Sequence, residues 1–95
     1  MDLYFEIKRR FQKATIIELD TEPSIFEVQF KNAVDSVFIA LKDKDRFTVS
    51  YPILKQDYKN NLKLSNQTSS DILLTGVIWI LSQIEENGKV IPEFM

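Results

Sequence analysis

The chain has no cysteine and no histidine. Those two absences exclude a disulfide framework, thiolate nucleophiles, Ser-His-Asp and Cys-His catalysis, zinc sites of the usual ligand types and imidazole proton switches. Glycine is nearly as scarce. Gly76 and Gly88 are the only two, so no glycine-rich loop can cradle a phosphate in the manner of nucleotide-binding folds. Long apolar runs are missing as well. The longest, Ile72 to Leu81, is about half of what a bilayer-spanning helix needs. The N-terminal "MDLYFEIKRRFQKA" has no long hydrophobic region or small-residue cleavage site, so the reading is a cytoplasmic protein without a secretory signal. On that reading the sequon Asn66-Gln67-Thr68 is incidental.

Charge of one sign is also lacking. The formal net charge is −2, split into alternating blocks of +2 (residues 1–14), −3 (15–54), +2 (55–70) and −3 (71–95). Such blocks suit an ordinary solvated surface rather than a nucleic-acid footprint. With 44% hydrophobic and 27% charged residues, the 95-residue chain has enough apolar matter for one folded domain, 1–95, without covalent staples.

The periodicity of what is present divides the chain. Leu3, Ile7, Phe11 and Ala14 recur at helical spacing, with Tyr4 widening the stripe and Phe5 on the opposite side. From residue 15 the period falls to two. "TIIELD" is short and β-branched and ends in a turn around Pro23. "IFEVQFK" puts Phe26, Val28 and Phe30 on one face. "SVFIALK" does the same for Val37, Ile39 and Leu41, and "RFTVSY" for Phe47, Val49 and Tyr51. Pro52 is then expected to stop the sheet. Leu54, Tyr58 and Leu62 allow a short helix within residues 53–64, and the polar "SNQTSSD" reads as a loop. A second long helix follows, with Ser69, Ser70 or Asp71 as its cap and Asn87-Gly88 as its stop. In the tail "KVIPEFM", Pro92 argues against a long regular element, although its apolar residues can dock.

These elements predict an α+β fold. It is a two-layer sandwich with an N-terminal helix, an antiparallel meander of three to four strands, and a C-terminal helix packed on one sheet face.

Three features compete for a functional role. Asp43-Lys44-Asp45 sits where a hairpin tip is expected and reads as solvated turn chemistry, and Glu85-Glu86 reads as surface charge. Lys8, Arg9, Arg10 and Lys13, with Phe5 among them, form a basic first helix that offers a weak nucleic-acid-binding alternative. The order of elements is shared with double-stranded-RNA-binding domains, but their lysines at the start of the last helix are absent from "SSDILLTG". The last helix presents the third feature. Leu73, Val77, Ile80 and Ile84, widened by Leu74, Ile78 and Leu81, make its core side. The only tryptophan, Trp79, falls on the other arc with Ile72, Gly76 and Gln83. Either another part of this chain covers that arc, or it contacts a partner. The resulting expectation is a non-enzymatic protein–protein interaction module of adaptor, inhibitor or immunity type, monomeric or homodimeric. It needs no metal, cofactor or small-molecule ligand, and its partner is another protein or a second copy.

Overall fold

The computed structural model describes residues 3–21 and 24–92. The chain is α+β, with a five-stranded antiparallel sheet and two helices. Helix α1 (Leu3–Arg10) leads into β1 (Thr15–Thr21), β2 (Ser24–Gln29), β3 (Val37–Asp43), β4 (Arg46–Gln56), β5 (Leu62–Ile72) and helix α2 (Leu74–Asn87). The strands lie side by side in chain order. The turn expected at Pro23 falls outside the described residues.

Alternation in the strands sets the core. The register lines up Val28 with Val37 and Phe26 with Ile39, and Ile39 in turn with Val49; all five are buried. Leu3, Ile7 and Phe11 from the first helical stripe join them, as do Val77, Ile80, Leu81 and Ile84 from α2. Phe11 meets Phe30 edge to face with ring centroids 5.9 Å apart. The one core side chain with a hydroxyl, Tyr51, has it satisfied by Ser69 at 3.0 Å and Gln67 at 3.2 Å. Helix α1 is shorter than its stripe. It ends at Arg10, and Ala14 packs against the core from the turn that follows.

Three expectations are corrected here. Pro52 does not stop the sheet. It lies inside β4, opposite Asn66. Pairing with β3 ends at Phe38 and Ser50, so the β3 side of β4 is vacant beyond Ser50. There the Pro52 carbonyl accepts the N–H of Val90 at 2.9 Å, and Leu54 donates to the Val90 carbonyl at 2.9 Å. A strand residue points its N–H and C=O to the same side, so the N–H that proline lacks would face the tail, and no β5 bond is lost. The tail thus docks through Val90, in a parallel bridge with Ile53.

Residues 53–64 are not helical, and "SNQTSSD" is not a loop: both belong to a long β4–β5 hairpin, so the sheet has five strands rather than three to four. Its turn is built by Asp57, whose Oδ1 accepts the N–H of Lys59 at 2.8 Å and of Asn61 at 3.0 Å. Asn60 N–H donates to the Asp57 carbonyl, and Asn60 takes the left-handed conformation at φ 62°. This is a type I turn closed by a left-handed residue, a common three-residue hairpin.

The cap of α2 also differs. Leu73 occupies it, with no side-chain hydrogen bond, which leaves Leu73 itself 44% exposed instead of on the core stripe. Ser69 and Ser70 are spent in the strand. Asp71 is the extra residue of a bulge between Val49 and Phe47, held at φ 61° and paired with Lys42 at 2.9 Å. At the other end Gly88 caps the helix as expected, at φ 76°, donating to the Ile84 carbonyl at 2.8 Å.

Candidate functional site

Helix α2 buries Val77, Ile80, Leu81 and Ile84, and Trp79 projects about 150° away from the centre of that face at 100° per residue. Its indole is 53% exposed, the largest apolar side chain on the solvent side of the helix. Gly76 and Gln83, one turn before and after, are half-buried, as is Ile72. Gly76 has a local reason to be glycine: a Cβ there would stand 2.7 Å from Cγ2 of Ile72. Of the four residues marked by the sequence, Gly76, Trp79 and Gln83 lie on α2. Ile72, expected on the same helical arc, is instead the last residue of β5, paired with Phe47, and its side chain lies close to Gly76.

The basic helix is arranged differently. Phe5 is 67% exposed and meets Tyr4 edge to face. Lys8 lies over the Tyr4 ring, 5.4 Å from its centroid. Arg9 and Arg10 both reach the same oxygen of Glu6, each at 2.7 Å. Arg10 and Lys13 also line a groove whose far side carries Glu85 and Glu86. Of the cations of the first helical segment, Arg9 and Arg10 thus share one carboxylate, that of Glu6.

No protein-family model, curated protein or solved structure matches the chain.

Asp43 and Asp45 are exposed at the two-residue turn between β3 and β4, where Asp43 accepts the Lys44 N–H at 2.7 Å. A groove of about 860 Å³ lies between Leu3, Phe26, Phe47 and Leu74. Glu18, Ser24, Lys44, Asp45 and Thr75 also line it, and among the described residues no charged side chain is buried.

What sequence reasoning missed is the outer half of the β4–β5 hairpin. Tyr58 at its tip is 89% exposed, with Leu62 and Leu64 following at 56% and 47%. Lys55 and Lys63 stand directly opposite each other in the register. The signal was present in "DYKNN", an aspartate to start a turn and an asparagine able to take positive φ.

Three carboxylates, the half-buried Glu6 and Glu27 and the exposed Asp71, are held below their ordinary range. Arg10, then Arg9, does this for Glu6; hydrogen bonds from Ser36 and Gln29 do it for Glu27; Lys42 does it for Asp71. A carboxylate more acidic in the folded than in the unfolded chain adds stability above its unfolded pKa and loses it as pH falls through the folded one. Urea midpoints are expected to be flat from neutral pH to about pH 5 and to fall below it. Midpoints that rise on acidification would show that these pairs do not contribute.

Proposed function

We propose that this protein acts by protein–protein contact through the solvent arc of α2, as a small adaptor or inhibitor, and carries no chemistry of its own. The observation that supports the reading is Trp79. A tryptophan half exposed on the outer arc of a well-packed helix leaves a large apolar surface in water, and the helix needs nothing from it for its own packing. Flanked by Gly76, Gln83 and Ile72, it has the aromatic centre and mixed surroundings of an interface anchor. A nucleic-acid role for α1 has less support, because Glu6 engages both Arg9 and Arg10 and Glu85 and Glu86 line the groove beside Arg10 and Lys13.

Parallel capture from the native host with wild-type protein and with Trp79→Ala tests the reading. A protein retained by the wild type and lost from the variant is the expected result. Identical sets of retained proteins would count against it.

A further inference from the structure

We propose that the free edge of β5 takes up an extended segment of a partner protein whose residues alternate between acidic and apolar, which adds a sixth strand to the sheet. This goes beyond the α2 reading and uses a separate surface.

The two edges of the sheet are built differently. On β1 the register slips between Glu18 and Asp20, so the strand carries an irregularity flanked by two acids. Bulges and charges of this kind are how sheet edges are protected from pairing. On β5 the register runs unbroken from Leu62 to Ser69 with no proline and a single charge, Lys63. Among the described residues nothing pairs with its outer side.

Its backbone groups face outward in a definite pattern. Pro52 and Leu54 direct theirs toward Val90, away from β5, so Tyr51 and Ile53 direct theirs toward it. Tyr51 stands opposite Gln67 and Ile53 opposite Ser65. Gln67 and Ser65 therefore bond to β4, and Leu64, Asn66 and Thr68 present N–H and C=O to solvent, ready to extend the sheet.

The side chains along this edge select the occupant. Lys63 shares a face with Ser65 and Gln67 and lies directly opposite Lys55. Like charges in that relation repel. Neither lysine has an ion-pair partner among the described residues, and the nearest carboxylate in sequence, Asp57, is occupied by the turn. The opposite face of the same stretch presents Leu62 and Leu64. An added strand lies about 4.8 Å away with its side chains alternating in the same way. Acidic residues then fall beside Lys63 and apolar ones beside the leucines. A second copy of β5 fits poorly, because it brings another Lys63 and no acid before Asp71. A nucleic acid has no apolar alternate positions, and the rest of the chain is net negative.

The probe is a fluorescein-labelled Glu-Val-Glu-Val-Glu-Val-Glu peptide, followed by anisotropy with the full chain. The wild type is expected to bind it, with amide shifts at Leu64, Asn66 and Thr68. Lys55→Glu/Lys63→Glu is expected to bind about tenfold more weakly or worse, with its far-ultraviolet circular dichroism unchanged. Trp79→Ala is expected to bind like the wild type, which separates this result from that of the α2 reading. The proposal is overturned by absence of binding, by equal binding of a Lys-Val-Lys peptide, by preferential binding of a single-stranded oligonucleotide, or by a wild-type dimer formed through β5.

Discussion

Leu81→Ala is expected to cost about 3–4 kcal/mol of folding free energy, close to the middle of the range for a large buried aliphatic residue. Leu81 is completely buried on the inner face of α2 and belongs to the single apolar cluster that joins both helices to the sheet. Truncation removes the transfer energy of the lost carbons and leaves a cavity that the surrounding packed core closes only in part. In a domain of this size each kcal/mol moves the midpoint by about 4–8 °C, so thermal unfolding should shift down by roughly 15–25 °C. Leu73→Ala is the control. Leu73 is 44% exposed at the helix cap, and its loss should cost less than about 1 kcal/mol. Near-equal effects of the two would contradict the packing described.

Gly88→Ala is the second large effect, expected at about 2–3 kcal/mol. Two independent costs meet there. At φ 76° an L side chain pays about 1–2 kcal/mol for the left-handed conformation. The added Cβ would also stand 2.7 Å from the backbone oxygen of Asn32, which cannot swing aside as a side chain would. Asn32 is itself engaged, since its Nδ2 donates to the Glu85 carbonyl at 2.8 Å and satisfies one of the free acceptors at the end of α2. Pushing it away therefore loosens the cap from both sides. Gly76→Ala makes the instructive comparison. Its Cβ would stand 2.7 Å from Cγ2 of Ile72, which moves only if the stiff χ1 of Ile72 turns. No positive φ adds to the cost, however, and the gain in helix propensity, about 1 kcal/mol, offsets part of the crowding, so the loss should be the smaller of the two. Chemical denaturation of the two variants should separate them clearly. Equal destabilisation would mean that the cap geometry is not what Gly88 supplies.

The parts of the fold legible in the sequence were those where one side of an element is buried and the other wet. Phe26, Val28 and Phe30, and likewise Phe47, Val49 and Tyr51, alternate because their strands pass under the helices, and each of these side chains is buried. The stop of α2 was legible because glycine at a helix end has a distinct conformational use. β5 was not legible, because it lies at the margin of the sheet. Both its faces are polar or only half covered, so "SNQTSSD" shows no apolar period and resembles a loop. Pro52 misled for a related reason: proline forbids a central strand only when both of its sides are paired, and one side of β4 is paired only by the tail. The cap of α2 misled because its candidate residues were needed in the strand and its bulge. For the candidate site, the helical wheel placed Trp79 on the outer arc. Its 53% exposure depends on how the distant segments pack around α2, which no helical wheel contains.

The most direct measurement is calorimetric titration of a partner captured through α2 against wild type and Trp79→Ala. The account predicts a loss of about 30-fold or more in affinity, corresponding to about 2 kcal/mol for an anchor at the centre of an interface. Affinities within about twofold of each other would contradict it.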